Sequence, residues 1–385
     1  MPSANRIIKN PRQVRADAPS GPGYLEELRA LSTSVGLDAF GVAPAVPLLR
    51  ARAEMARRQA EGLTNGLTFT YLKPERSTDP SALLPDARTV IVAARSCDIA
   101  PNDAPHADGP RAVVARYAWI DHYGELKKSL NQVAARLRAD GNKAVVFADD
   151  NSVVDREVAW LAGIGWYGKN ANILVPGAGS FFVLGCIVTT ADLPVAEPVA
   201  DGCGTCSRCM PACPTDAIPE PGVIDANRCL SWLLQKPGVF PREHRVALGA
   251  RIYGCDDCQT ACPFTRRKDA RSNGAVTESS IGVLELLSAS DEQIMERCDR
   301  WYVHQREAVW VRRNLMIVLG NTADAGDPRV VAAVRAGITH GHAAVRAHAV
   351  WAAARLGLTS LIPATDSDPV VAEELANLPA LREPL

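Results

Sequence analysis

Residues 203–214, CGTCSRCMPACP, and residues 255–263, CDDCQTACP, decide how this chain is read. The first run follows C-x2-C-x2-C-x3-C-P, the spacing that holds iron–sulfur cubes in bacterial two-cluster ferredoxins. There, three close thiolates grip one cluster and the fourth crosses to the other. Tight spacers let the sulfurs converge, and the proline after the last cysteine ends the helix that carries it. The second run has C-x2-C-x3-C-P without a leading cysteine, and Cys229, in NRCLSWLLQ, supplies the missing thiolate. The assignment is Cys203, Cys206, Cys209 and Cys262 on one [4Fe-4S] cluster, with Cys213, Cys229, Cys255 and Cys258 on the other. Zinc, the alternative for paired C-x2-C motifs, needs four ligands and leaves half of these cysteines idle. Disulfides do not suit closely spaced cysteines in a chain that reads as cytosolic and without a signal peptide.

A chain of 385 residues has room for two or three domains. The hydrophobic fraction of 47% and charged fraction of 22% are those of an ordinary globular protein. Net charge is −1, so no global basic field draws nucleic acid, and any such binding needs a local patch. No apolar run is long enough to span a bilayer, which fits a cytoplasmic protein with no membrane partner.

Residues 1–23, rich in Pro, Gly and small polar residues, read as a flexible tail. Over 24–195, strands alternate with helices. GLDAFGVAP, TVIVAA, VVARYAW, AVVFADD, NILVP and SFFVLGCIVTT have strand character. YLEELRALSTSV, ELKKSLNQVAARLRADG and VVDREVAWLAGIG have helical spacing, and a further helix over roughly 45–61 turns Arg50, Arg52, Arg57 and Arg58 to solvent. That alternation implies an α/β domain over 24–195, followed by a ferredoxin-like two-cluster domain over 196–270. GIGWYGKN (163–170) matches G-x-G-x-x-G but has its helix before and its strand after, the reverse of a phosphate loop. It reads instead as a tight turn presenting Lys169 and Asn170.

Residues 271–385 are helical. AVWVRRNLMIVLGN and AAVRAHAVWAAARLG, separated by DPRVVAAVRAGI, resemble stacked helix pairs of the HEAT type, and the chain from about 364 reads as loosely held. Arg312, Arg313, Arg335 and Arg346 are candidates for one cationic face, and Arg266, Arg267, Lys268 and Arg271 for a phosphate contact beside the second cysteine run. Plain solvation is the simpler reading of each. Cys97, Cys186 and Cys298 receive no function, and Cys186, in an apolar strand, reads as core.

Two adjacent clusters store and carry electrons, so the α/β domain must hold the acceptor. Asp149, with Asp150 beside it, ends a predicted strand, where active sites of α/β proteins gather. Neighbouring carboxylates raise the pKa of one of the pair, which suits a general acid. Helix capping by residues 149–152 is the competing reading.

RSTDPSALLPDA (76–87), RYA (116–118), ADDNSVVDREVAWLAGIGWYGKN (148–170), GSFFVLGCIVT (179–189), both cysteine runs with RCLSWLLQ between them, and RRNLMIVLGN (312–321) form an ordered set. Together they resemble the epoxyqueuosine reductase family over about residues 24–360. The resemblance implies an α/β domain that binds cobalamin with its lower ligand detached, next to two [4Fe-4S] clusters. It implies reduction of the epoxide of epoxyqueuosine in the anticodon stem-loop of tRNA, giving queuosine, with a reduced flavodoxin or ferredoxin-type protein as electron donor. Matched by motif, Asp149 falls on the proton donor. Arg76 and Arg156 fall on cofactor-pocket positions, and Ile173 and Leu184 on strand positions that line the pocket. The chain departs from the family at Asp149-Asp150-Asn151-Ser152, usually Asp-Ser/Thr-Ala/Gly-Pro, and at His122-Tyr123-Gly124, usually Asp-Tyr-His. A reductase of the same scaffold acting on a small molecule is the alternative.

Overall fold

A computed structural model describes residues 9–103, 108–265 and 276–381. The first part of the chain runs α1 (Gly21–Ser34), β1 (Ala39–Pro44), α2 (Leu49–Ala60), α3 (Pro74–Ser77), β2 (Thr89–Ser96), β3 (Arg111–Val114), α4 (His122–Ala139), β4 (Ala144–Ala148), α5 (Asp155–Leu161), β5 (Trp166–Tyr167), β6 (Ile173–Leu174) and β7 (Phe182–Thr189). The remainder runs α6 (Leu230–Gln235), α7 (Arg242–Leu248), β8 (Arg251–Tyr253), α8 (Asp257–Thr260), β9 (Ser280–Gly282), α9 (Val283–Ser288), α10 (Asp291–Arg297), α11 (Val309–Thr322), α12 (Pro328–Ile338), α13 (Ala343–Arg355) and α14 (Pro369–Ala376).

Side chains alternate across a strand, so β2 sends Val90, Val92 and Ala94 into one core and Ile91 and Ala93 into another. Helices α2 and α5 cover the first face, α1 and α4 the second. At Gly41 a β-carbon would stand 1.9 Å from the Ala162 carbonyl oxygen, so α5 reaches β1 only across a glycine. The α/β layering is as read from the sequence, which carried no expectation of strand direction. The sheet order is β1-β2-β7-β4, and each neighbouring pair is antiparallel. Hydrophobic period reports which face is buried and is silent on direction, since a long connection can return a strand either way.

The structure departs from the expected layout in four places. Strand β3 leaves the first sheet and pairs with β8 and β9, so Ile99, Ala112, Val114 and Trp119 belong to the core of the C-terminal helices. The predicted strand VVARYAW stops at Val114, because Asp256 accepts the Arg116 amide at 2.7 Å and the Trp119 indole folds back on the Val114 carbonyl at 2.7 Å. Residues 9–20 of the expected tail are fastened. Asn10 Oδ1 accepts the Ala144 amide at 2.7 Å, and the Arg15 amide donates to Gly141 at 3.1 Å. Polar composition shows that such a segment lacks a core, not that edge strand β4 needs partners for its amides. The end of the chain is also held, by the Arg245–Glu374 ion pair at 2.9 Å, buried on both sides.

The arginines expected to share one cationic face are mostly committed elsewhere. Arg312 pairs with Asp291 and donates to the Leu287 and Ala289 carbonyls, and Arg346 pairs with Asp366. Arg313 is fully buried and donates to the carbonyls of Leu233, Leu234, Lys236 and Gly238, and burial lowers its pKa to about 9. Only Arg335 of the four stays exposed. Arg266, Arg267, Lys268 and Arg271 lie outside the described residues. No helix among the described residues is long and apolar enough to cross a membrane.

Arg313 closes the end of α6, the helix whose N-cap is Cys229. Arg313→Ala strands several buried carbonyls and leaves a cavity, and is expected to lower unfolding free energy by roughly 3–5 kcal/mol. Urea titration of the apoprotein measures this, and an unchanged midpoint would refute it.

Candidate active site

Phe182 and Leu184 at the start of β7, with Ile173 on β6 and Val175 after it, give a cleft its apolar lining. Tyr123 from the first turn of α4, Asp155 and Arg156 from the start of α5, and the loop residues Asn172 and Ser180 form its polar wall, around about 390 Å³ of space open to solvent. Three positions matched from the sequence, Arg156, Ile173 and Leu184, thus meet in one place. Arg76 does not line the cleft. It sits exposed on α3, next to Ser77, whose carbonyl accepts the Val154 amide at 2.9 Å two residues before Arg156.

Arg50, read as solvated, instead braces this wall. Its guanidinium donates to the buried Glu157 carboxylate at 3.0 and 2.5 Å and lies 4.1 Å from the Trp160 ring centroid. Tyr167 donates to the same carboxylate at 3.1 Å. Glu157 follows Arg156, so the brace fixes the turn of helix that presents Asp155 and Arg156.

Asp149 follows β4 with φ 51, a left-handed conformation that Asp tolerates better than most residues. It caps nothing. The N-cap of α5 is Val154, and Asp150, not Asp149, accepts the Ser152 amide at 2.8 Å. Among the described residues none hydrogen-bonds the Asp149 carboxylate. Surrounding atoms desolvate it in part, though it stays open to water, and that desolvation is the main cause of its raised pKa; Asp155 and Asp150 add like charge and Lys127 opposes. Asp155 is itself raised by burial.

Of His122-Tyr123-Gly124, Tyr123 faces the cleft, its pKa raised by burial and then by Asp155 and Asp149. His122 turns inward. Burial pushes its pKa down to about 4, and neither ring nitrogen has a partner among the described residues. Sequence reasoning missed Asp155, Asn172 and Ser180 as wall residues. Asp155 had a signal, as a third carboxylate in the same strand-to-helix loop; the other polar positions come together only through tertiary packing.

Several of the eight cysteines feel one another's charge, and Cys258 feels members of both expected sets. Cys209 feels the charge of Cys203, Cys206 and Cys262, Cys229 that of Cys213, and Cys255 that of Cys229. Burial, then Cys255, Cys229, Cys213 and Cys209, raises Cys258 well above the ordinary thiol value, and burial pushes Cys255 up to about 12. Thiols held this way ionise only with a positive centre among them, which is what iron supplies. Cys97, Cys186 and Cys298 are buried and belong to neither expected set. Among the described residues no three His, Cys, Asp or Glu side chains converge on a single ion.

The glycine segment 163–170 joins cleft to thiols. Strands β5 and β6 form a hairpin, so this stretch is no phosphate loop. Gly168 lies against Leu174, where a β-carbon would sit 2.1 Å from the Leu174 side chain. The turn docks on the cysteine-rich segment: Lys169 Nζ donates to the Gly204 carbonyl at 2.8 Å, and buried Asn170 donates to the Cys258 carbonyl at 3.4 Å. Ser180 in the cleft wall bonds Gln259, beside Cys258, at 3.0 Å. Arg156 completes the link, close enough to Cys229 to favour its thiolate.

Comparison with known proteins agrees with this layout. Residues 77–150 match the family model for epoxyqueuosine reductase QueG, and residues 202–265 that for a 4Fe-4S double cluster binding domain. The chain is 34% identical to the epoxyqueuosine reductase of Xanthomonas campestris over 349 residues, 86% of this chain and 96% of that one. It is 29% identical to that of Bacillus subtilis over 370 residues, covering 91% and 89%. A crystal structure of epoxyqueuosine reductase with an epoxyqueuosine-modified tRNA-Tyr stem loop superposes with a TM-score of 0.82 at 26% identity, covering 92% of this chain and 99% of that one.

Proposed function

The chain belongs to the epoxyqueuosine reductase family, and from that premise we propose that it reduces epoxyqueuosine in the anticodon stem-loop of tRNA to queuosine. The observation that carries the reading is the cleft itself. Arg156, Ile173 and Leu184 line it, an acid with a raised pKa stands nearby, and its wall is hydrogen-bonded to the segment holding Cys258. The similarity to a reductase solved with a modified stem loop supports the substrate. The C-terminal helices, read as a HEAT-like platform, give a long RNA somewhere to lie.

The residues fit both kinds of cofactor. Cys203, Cys206, Cys209 and Cys262 would hold one [4Fe-4S] cluster and Cys213, Cys229, Cys255 and Cys258 the other, as the cysteine spacing and the similarity of residues 202–265 to a double cluster binding domain support. An apolar floor of Ile173, Val175, Phe182 and Leu184, edged by Arg156, Asn172 and Ser180, suits the flat, amide-fringed face of cobalamin. When bound, the clusters and the corrinoid supply low-potential electrons and two-electron chemistry at carbon. A flavodoxin or ferredoxin-type donor would refill them, and oxygen-sensitive iron and a tRNA substrate both fit a cytoplasmic setting.

The chain's own part is to orient and to deliver protons. Opening the epoxide and restoring the ring double bond takes two electrons and two protons and releases the oxygen as water. Asp149 would deliver one of those protons from its carboxyl, since partial desolvation and the neighbouring carboxylates shift it toward its neutral form. The Arg50–Glu157 brace keeps Arg156 in place at the wall. Anaerobic reconstitution with iron, sulfide and cobalamin, followed by incubation with epoxyqueuosine-containing tRNA, should yield queuosine by nucleoside mass spectrometry. Protein that loads both cofactors yet leaves that tRNA unchanged would refute the reading.

A further inference from the structure

We infer that Lys127 holds a backbone phosphate of the tRNA strand beside the modified nucleoside, a contact that rests on the tRNA reading above. Helix α4 sets the geometry. Leu126, Leu130, Val133 and Leu137 face the core and fix the rotation of the helix. Tyr123 lines the cleft, and Lys127, four residues on, occupies the same flank one turn further along, exposed.

The charges around the mouth create the need for such a cation. Asp149, Asp150 and Asp155 lie together there, and each repels an approaching phosphate. Most nearby cations are spent. Arg95 donates to the Gly36 carbonyl at 2.9 Å, Arg116 is paired with Asp98, Arg300 with Glu278 at 2.6 Å, and Lys128 lies 4.0 Å from Glu125. Arg156 lies in the cleft wall. Among the described residues the Lys127 ammonium has no hydrogen-bond or ion-pair partner, and it is the cation that acts on Asp149. An ammonium on a flexible stem meets a phosphate as a point charge from many directions, which suits a mobile loop of RNA.

A phosphate seated on Lys127 has a second effect. It neutralises the charge that favours ionised Asp149, while Asp155 and Asp150 continue to disfavour it and Tyr123 and Tyr253 stay neutral nearby. Arrival of the RNA therefore moves Asp149 toward its protonated form.

The test is steady-state kinetics of the full-length, anaerobically reconstituted enzyme on epoxyqueuosine-containing tRNA across a salt series. Lys127→Gln should raise KM several-fold with little change in kcat, and should flatten the slope of log(kcat/KM) against log[salt] by roughly 0.7–0.9, the value for one phosphate contact. Lys127→Arg should restore the slope, which a change in folding would not do. An active wild type beside a Lys127→Gln enzyme with the same KM and salt slope overturns the proposal alone. A fully loaded wild type inert on this tRNA overturns the substrate reading and the proposal with it.

Discussion

Asp149→Asn is expected to lower turnover of epoxyqueuosine-containing tRNA by about 10²–10⁴-fold, the usual range for losing a general acid, with iron and cobalamin content unchanged. Asn keeps the size and tolerates the left-handed φ of 51, so the loop backbone stays as it is. It cannot give up a proton. The pH dependence follows from the direction of the shift. The folded protein binds the Asp149 proton more tightly than the unfolded chain does, so this carboxyl favours the fold at low pH. That contribution fades as pH climbs from the ordinary carboxylate value through the raised one, and above it the ionised group works against the fold. The variant should therefore melt no lower than wild type near neutrality. Wild-type rate should fall on the alkaline side of the raised pKa as the acid form is lost, and the variant's residual rate should lack that limb. Full turnover by Asp149→Asn would remove this residue from the chemistry.

The second large effect concerns iron. Cys258→Ser should cut iron from about eight atoms per chain to about four and abolish turnover, because serine is a poor iron ligand and a cluster needs its four thiolates. Cys209→Ser should lose the other half and leave the Cys258 set loaded. Cys97→Ser, changing a buried cysteine of neither set, should keep all of it. Iron analysis with electron paramagnetic resonance of the reduced proteins separates these cases. Full iron and activity in Cys258→Ser would break the ligand assignment. Asn170 and the Ser180–Gln259 pair bind the segment holding Cys258 to the cleft wall, which puts this loss beside the site.

What could be read from the sequence follows from what is local. Cysteine spacing is a local property, since three thiols within seven residues can reach one cluster whatever the rest of the chain does. Strand identity in TVIVAA and SFFVLGCIVTT was equally legible, because period and β-branched content need no partner. Direction was not legible, and the antiparallel sheet emerged only with the structure. Arg50 and Arg313 show a further limit. An arginine on a helix reads as solvated until a buried carboxylate or a row of open carbonyls is brought to it from far along the chain. Asp149 was ambiguous for the opposite reason: a carboxylate after a strand serves a helix cap as readily as a reaction, and the position of the true N-cap, Val154, decides against capping.

The passage of β3 out of the first sheet and between β8 and β9 has an evolutionary corollary. A stretch encoded early in the gene is the central strand of a sheet whose other members come from two later stretches. Such interleaving forbids modular exchange. Separating the two halves would leave a strand without its partners, so the N-terminal layers and the C-terminal helices are expected to be inherited together.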